Sequence, residues 1–279
     1  AVQVVQSTPK GVMNDMVIYP FNDVERTIHL LDQHKDDIAC VLIDPVPHRI
    51  GLFPATSAFI EAVYDWTRKN NSLMVFDEVV SFRINYAGAQ DSFTVKPDLT
   101  ALGKIIGGGF PIGALAGKSE IMEVLDPRGT FLKHPHSGTF SANPISTTAG
   151  RVAMELFDQN AVLKLNAFAQ DAAKQIKEVA KLADIPMSVT GAGSMFRIHF
   201  RETPSNSYRE AFQGKEERAV LDELLDYMFL KENMVMINTL SCMLATTHTQ
   251  QNIDQLCDAL HRGFKFVKPK IDALALTPV

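Results

Sequence analysis

Hydrophobic and polar positions in the first hundred residues follow helix and strand patterns in turn. Apolar side chains at helical spacing predict a helix over residues 23–33, and a continuous apolar run bounded by charges predicts a buried strand over residues 38–43. Residues 58–70 again have helical spacing, and residues 72–76 read as a second strand. A strand-helix-strand unit builds a parallel sheet, and ligands bind outside the carboxyl ends of its strands.

The pattern changes after residue 143 to long helices and then to a mixed region. Residues 195–200 alternate like a strand, and the polar stretch 202–215 is predicted to be a mobile loop. We therefore predict a large domain over residues 1–157 and a smaller α+β domain over residues 158–279. The other predicted elements are helices over residues 120–125 (with Ser119 as its cap), 145–157, 162–182, 221–231 and 249–264, and a short strand over residues 235–237.

Composition excludes some classes of protein but does not identify the function. The chain has 279 residues, 46% of them hydrophobic, and a net charge of −5, which offers no basic surface for nucleic acid. No apolar stretch approaches the roughly 20 residues that span a bilayer, so we expect no membrane association and a cytoplasmic location. The three cysteines lack metal-ligand spacing, and Cys40 is expected to be a buried reduced thiol.

Two charged residues at predicted strand ends suggest a specific chemistry. Lys104 follows an apolar run and precedes three glycines, where the backbone can turn sharply and admit a ligand. Asp77 closes the strand over residues 72–76, and Asp44 closes the strand before it. Pyridoxal phosphate needs a lysine amine for its aldehyde and a carboxylate for its pyridine nitrogen. Lys104 and Asp77 can fill these two roles.

Four motifs follow one another along the chain. They are Phe-Asp-Glu-Val at 76–79, Lys-Pro-Asp-Leu-Thr at 96–100 leading to the lysine, Gly-Gly-Gly-Phe-Pro-Ile-Gly-Ala at 107–114 and His-Ser-Gly-Thr-Phe-Ser-Ala-Asn-Pro at 136–144. With these motifs, nearly the whole chain resembles the class III aminotransferases, in particular their glutamate-1-semialdehyde aminomutase-like branch. The resemblance implies the fold-type I architecture of pyridoxal-phosphate-dependent transferases, a mainly parallel α/β sheet flanked by helices with a smaller C-terminal α+β domain.

The resemblance also implies a role for four residues. In the family, the lysine matching Lys104 forms the Schiff base with pyridoxal 5′-phosphate, and the aspartate matching Asp77 contacts the pyridine nitrogen. The valine matching Val79 packs on the ring face. The threonine matching Thr139 binds the cofactor phosphate across the subunit boundary of a homodimer. The implied substrates are an amine donor and a keto-acid acceptor.

The chain departs from the family pattern in three places. The family's Thr-Gly-Phe-Arg type sequence is replaced by residues 79–83, one residue shorter, so we expect a reshaped loop beside the cofactor. Asp44 stands where the family tends to carry glutamate. The family also has a substantial segment before the point where this chain begins, so Ala1 is expected to begin a fragment or a processed product.

Other residues favour ordinary structural roles. His134 and His136 lie two apart with no third ligand nearby, and we expect no metal. Arg49, Arg83 and Arg197 are alternatives for a substrate carboxylate, and the sequence favours none of them.

Three functions remain open from the sequence. The first is an aminotransferase that moves an amino group between a primary amine or amino acid and a keto acid. The second is an aminomutase that keeps both amino groups within one molecule. The third is a non-catalytic remnant that acts through protein contacts.

Overall fold

The structure is a computed structural model that describes residues 8–128, 131 and 133–275. The expectation about the amino terminus rests on residues outside that description. The predicted helices over 23–33 and 58–70 and the two predicted strands are present with small changes of bounds. The elements of the first half are α1 (Lys10–Asn14), α2 (Val24–Gln33), β1 (Cys40–Ile43), α3 (Ser57–Lys69), β2 (Leu73–Asp77), β3 (Leu99–Gly103) and β4 (Gly113–Gly117).

These strands form one mixed sheet in the order β1-β2-β3-β4. The first three strands are parallel, with Ile43 opposite Phe76 and Asp77 opposite Ala101, and β4 runs antiparallel to β3. The fold class predicted from the sequence, a mainly parallel sheet flanked by helices, is confirmed. Because the parallel strands end at the same edge, the residues that follow them meet there.

Helix α3 supplies the core of this sheet because its apolar side chains recur at helical spacing. Phe59, Ile60 and Val63 are fully buried against β1 and β2, and the Thr56 hydroxyl caps the helix by accepting a bond from the Phe59 amide at 3.2 Å. Cys40 is exposed, so the expectation of a buried thiol is wrong. Strand β1 buries alternate residues, because α2 and α3 cover one of its faces.

The second half of the described chain forms a separate antiparallel sheet, in the order β5-β6-β7, packed against long helices. No helix among the described residues has both the length and the apolar character to cross a membrane. The elements are α4 (Ser119–Met122), α5 (Pro144–Leu156), α6 (Gln159–Leu182), β5 (Ser188–Ala192), β6 (Met195–His199), α7 (Tyr208–Ala211), α8 (Lys215–Glu232), β7 (Ser241–Met243) and α9 (Gln250–Ala275).

Local details of this half differ from the sequence predictions. The strand predicted over residues 235–237 is wrong: those residues form no strand, and the third strand of the sheet is β7, which pairs with β6. Ser119 is the first residue of α4 rather than its cap, and Lys118 holds the cap position. The predicted loop over residues 202–215 contains α7, whose cap is Ser207.

A small third cluster joins the two sheets. Val46, Leu52 and Ile84 from the first half pack with Met195 from β6. Arg83 adds polar contacts across the same boundary, donating to the Ser194 hydroxyl at 3.0 Å and to the Leu244 carbonyl. The division into domains at residue 157 stays a prediction.

Candidate functional site

Three charged residues lie at the carboxyl edge of the first sheet. Asp44 follows β1, Asp77 ends β2, and Lys104 follows β3. The register brings Asp44 beside Asp77, because the residues before them, Ile43 and Phe76, are paired. The charge of Lys104 acts on Asp44 as well. The sheet therefore gathers the predicted lysine and aspartate at one edge, as the strand-end pattern predicts.

Lys104 has an unusual backbone conformation. Its φ of 49° lies in the left-handed region, which costs about 1 kcal/mol or more for a residue with a side chain. It begins a short 3-10 turn, Lys104–Gly107, and the turn closes with Gly108 at φ 58°. The side chain is exposed at the sheet edge. Such strain persists where the surroundings fix the conformation, and it is common at functional sites.

Helix α5 fixes the lysine turn by direct backbone contact. A Cβ atom at Gly150 would overlap the Ile106 carbonyl, and one at Gly108 would overlap the carbonyl of Ala149. Glycine is thus required on both sides of this contact. Asn143 caps α5 by accepting bonds from the amides of the helix's first turn. Helix α5 therefore packs directly against the turn that begins at Lys104 and fixes its position.

Asp77 and Val79 are linked to each other and to the lysine strand. The Oδ1 atom of Asp77 accepts a hydrogen bond from the Val79 amide at 3.0 Å. The Val79 side chain lies against Gly103, where a Cβ atom would stand 3.3 Å from its Cγ1. Val79 thus sits directly beside the residue that precedes Lys104.

A cavity of about 550 Å³ opens at this edge of the sheet. Val79 and Lys104 line it, whereas Asp77 and Thr139 do not. Thr139 lies in an exposed turn before α5. Two of the four predicted site residues, Val79 and Lys104, thus line the cavity, and Asp77 ends the neighbouring strand at the same sheet edge. The lining consists of Val79, Val80, Arg83, Lys104, Ile105, Gly109, Phe110, Pro111 and Met243.

The electrostatics of this edge centre on Asp44. Burial raises the pKa of its carboxyl to about 7, and the charges of Asp77 and Glu78 act in the same direction. The Val46 amide, which donates to Asp44 at 3.0 Å, and the charge of Lys104 partly oppose this rise. Asp44 is therefore a group in the site that changes charge near neutral pH.

Glu78 is a site-forming residue that the sequence reasoning missed. It is fully buried, and its carboxylate accepts bonds from the amides of Ala89 and Gln90. Gly88, at φ 86°, leaves room for that carboxylate. Burial raises the pKa of Glu78, while the two backbone bonds oppose the rise. Glu78 directly follows Asp77 in the sequence, but its backbone partners lie 11 and 12 residues further on.

Asp98 is a second buried acid, and it fixes the start of β3. It is 1% exposed and accepts bonds from the Met74 amide at 2.8 Å, from Arg68 and from Lys118. Burial alone would raise its pKa, but these donors hold the pKa below the ordinary value. The acid thereby joins β2, α3 and the end of β4 around the lysine strand. No group of three potential metal ligands lies together among the described residues.

The fold and the arrangement of this sheet edge agree with the comparisons with known proteins. Residues 7–264 match the aminotransferase class-III family, and the chain belongs to that family. Class-III aminotransferases are fold-type I enzymes that use pyridoxal 5′-phosphate. The family and the fold type predicted from the sequence motifs are confirmed.

Two kinds of relative resemble this chain. A glutamate-1-semialdehyde 2,1-aminomutase of Methanosphaera stadtmanae is 34% identical over 90% of this chain and 59% of its own length. An omega-transaminase from Sphaerobacter thermophilus is 37% identical with a TM-score of 0.92, over 96% of this chain and 61% of its own. A "transaminase with PLP bound" is 30% identical with a TM-score of 0.87, over 95% of this chain and 61% of that one. The chain therefore spans about 60% of the length of these relatives.

Proposed function

We propose that this protein is a pyridoxal-phosphate-dependent aminotransferase that moves an amino group between a primary amine or amino acid and a keto acid. Lys104 carries the cofactor through its amine, and Asp77 faces the pyridine nitrogen. Val79 packs on the ring, and Thr139 binds the phosphate of a neighbouring subunit's cofactor. The observation that carries the proposal is the placement of Lys104 and Asp77 after adjacent parallel strands, at the edge where a cavity opens.

The residues present suit the cofactor. Lys104 is exposed in the cavity, where its amine is free to react with an aldehyde. Val79 offers a branched apolar surface for a ring, held against Gly103. Asp77 keeps a second carboxylate oxygen in addition to the one that accepts from Val79. This second oxygen can accept a hydrogen bond from the protonated nitrogen of a pyridine ring.

The proposed chemistry assigns two tasks to the protein. When bound, pyridoxal phosphate supplies an electron sink for the substrate carbon. Lys104 would hold the cofactor through its amine and would move a proton at that carbon as a general base and acid. Asp77 holds the positive charge at the ring nitrogen throughout. An amino acceptor takes the group in the second half of the cycle.

The proposal extends to partners and location. A phosphate contact through Thr139 requires a homodimer with shared active sites, and the exposed turn that holds Thr139 is free to reach a neighbour. The free thiols of Cys40, Cys242 and Cys257 support a reducing, cytoplasmic location.

Replacing Lys104 tests the central assignment. Lys104→Ala should abolish both turnover and the absorbance of the lysine-linked cofactor, because no other amine stands at that position of the cavity. Lys164→Ala, an exposed lysine on α6, serves as the control and should retain both. The readout is an absorbance titration with pyridoxal phosphate alongside an amine-transfer assay. Retention of the absorbance by Lys104→Ala would exclude the assignment, and a native chain unable to bind the cofactor would favour a non-catalytic remnant.

The second candidate is an aminomutase, favoured by the similarity to the Methanosphaera stadtmanae enzyme. An aminomutase needs no external amino acceptor, whereas an aminotransferase converts one. A screen with pyruvate and 2-oxoglutarate separates the two, since only a transferase turns these acids into amino acids. We expect alanine or glutamate to form.

A further inference from the structure

Three arginines are candidates for holding a substrate carboxylate, and the structure separates them. Arg49 is exposed in a short 3-10 turn, where water solvates its charge. Arg83 lines the cavity, but its guanidinium donates to Ser194 and Leu244 across the two sheets. Arg197 differs from both, since it is 4% exposed.

The guanidinium of Arg197 has no hydrogen-bond or ion-pair partner among the described residues. Its Nε is fully buried without an acceptor. The nearby carboxylate of Glu217 accepts both of its bonds from Arg201, each at 3.3 Å, and is therefore already paired. A buried charge without a partner is costly, and natural proteins seldom keep one unless an anion completes it. The free protein thus holds an arginine ready for an anionic ligand.

Arg197 lies on the face of β6 that adjoins the cofactor cavity. On β6, Met195, Arg197 and His199 share the face turned to the first half of the chain, because strand side chains alternate. Met195 is paired with Met243, which lines the cavity with Lys104. Arg197 does not itself line the cavity, and it lies two residues, roughly 7 Å, further along the same face. On β7 it is paired with Ser241, whose side chain is small.

His48 lies within range of the charges of both Arg197 and Lys104. The Nε2 atom of His48 is buried without a partner. Burial lowers its pKa, and the charges of Arg197, Arg49 and Lys104 lower it further. Arg197 and Lys104 are therefore both within electrostatic range of one side chain, whose Nε2 has no hydrogen-bond partner among the described residues.

We propose that Arg197 binds the carboxylate of the substrate, which reaches it from the Lys104 cavity past Met243. The substrates are then amino acids and keto acids whose carboxylate lies on the side of the molecule away from the reacting nitrogen. The proposal rests on the proposed function for the identity of the ligand, but the anion site itself is a property of this chain. Methionine at position 243 is unbranched and flexible, and it can move aside as the carboxylate enters.

An equilibrium binding experiment tests the site without turnover. Calorimetric titrations with butyrate, and with butanamide as a neutral molecule of the same shape, are performed on the cofactor-loaded chain and on the chain without cofactor. We expect butyrate to bind the native chain more tightly than butanamide. Arg197→Gln should weaken butyrate binding roughly 10- to 100-fold, the effect of losing a charge-assisted bidentate contact, and leave butanamide binding unchanged.

Further variants separate ligand binding from folding. Arg197→Lys should bind butyrate with intermediate affinity, and Arg49→Gln should bind it like the native chain. Arg197→Met should melt at the same or a higher temperature, because an unpaired buried charge is removed. Unchanged butyrate affinity in Arg197→Gln, a loss confined to Arg49→Gln, or a sharply lower melting temperature in Arg197→Met would each overturn the proposal. Absorbance of the cofactor is recorded on the same samples, so failure at Lys104 is seen separately from failure at Arg197.

Discussion

Asp44 and His199 are two poorly exposed groups that titrate in the same pH range and act on folding in opposite directions. Burial lowers the pKa of His199 to about 4, and its Nε2 atom lies 2.7 Å from the Thr190 hydroxyl. The unfolded chain takes up this proton first, so stability is lost as pH falls from 6.5 toward 4. Asp44, with its pKa raised to about 7, keeps its proton longer in the folded chain. Its stability contribution is lost as pH rises from 3.8 toward 7.

Single variants should separate these two contributions. His199→Gln removes the contribution of His199, which destabilises the native chain at low pH. The free energy of unfolding of this variant, relative to that of the native chain, should therefore fall as pH rises. Asp44→Asn removes the contribution of Asp44, which the native chain loses as pH rises. The free energy of unfolding of this variant, relative to that of the native chain, should therefore rise with pH. We expect each relative change between pH 5 and pH 7.5 to be about 1–2 kcal/mol. Urea unfolding at the two pH values measures it.

Asp37→Asn, at an exposed carboxylate, is the control and should keep the native pH dependence. If both variants keep the native dependence too, neither group is shifted as the structure indicates.

At the scale of residues, the sequence motifs locate the sheet edge that holds Lys104, but they do not reveal the contacts that stabilise this edge. The placement of Lys104, Asp77 and Val79 at one sheet edge could be predicted, because each stands within a short motif at a strand end. The unpaired state of Arg197 could not be predicted, because it depends on which neighbours its guanidinium lacks after folding. Likewise, the partners of Glu78 are backbone amides that no local pattern reveals.

The contact between α5 and the lysine turn shows how one element positions another. Ala149 and Gly150 present a smooth patch of helix, and the turn lies directly on it. Small residues allow this approach, whereas any larger side chain at Gly150 would push the Ile106 carbonyl away. The left-handed conformation of Lys104 depends on the same turn.

Gly150→Ala should therefore disturb the site as well as the fold. The added methyl overlaps the backbone of the turn, and we expect a loss of about 1–3 kcal/mol in the free energy of unfolding. Cofactor binding should weaken in addition, because Lys104 shifts. The measurements are urea unfolding and an absorbance titration with pyridoxal phosphate.

Gly11→Ala is a matched control, since Gly11 also lies in a helix but has no atom within 4 Å of an added Cβ. It should keep native cofactor binding and show equal or slightly higher stability. Native cofactor binding by Gly150→Ala would show that the turn tolerates displacement.

Long elements were predictable from periodicity, and short paired strands were not. Helices α3 and α6 have many turns of apolar spacing, so their existence follows from the sequence. Strand β4 reads Gly-Ala-Leu-Ala-Gly, without the branched residues that indicate a strand, and it forms because β3 offers a pairing edge. Residues 235–237 carry those branched residues, yet Val235 is 84% exposed and unpaired. Tertiary pairing outweighs local propensity in both cases.

On the scale of the whole molecule, one side of α5 is left open. Ile145, Val152 and Leu156 are exposed there and border a cavity of about 660 Å³. We call these three side chains the α5 surface. Gly108 of the lysine turn reaches the same cavity, so the surface adjoins the candidate site. Contiguous exposed apolar side chains mark interaction sites, so the α5 surface is the face to test for the homodimer proposed above.

A charge placed on the α5 surface should weaken the proposed dimer. Leu156 is 75% exposed, so Leu156→Glu is tolerated by the single chain, whereas burying its carboxylate between two subunits is costly. We expect the dimer dissociation constant to rise roughly tenfold or more, measured by sedimentation equilibrium over a range of concentrations. Leu182→Glu is the matched control: Leu182 is 74% exposed at the end of α6 and should leave association unchanged. A native chain that is monomeric at all concentrations, or a Leu156→Glu variant that associates like the native one, would contradict a dimer formed through this surface.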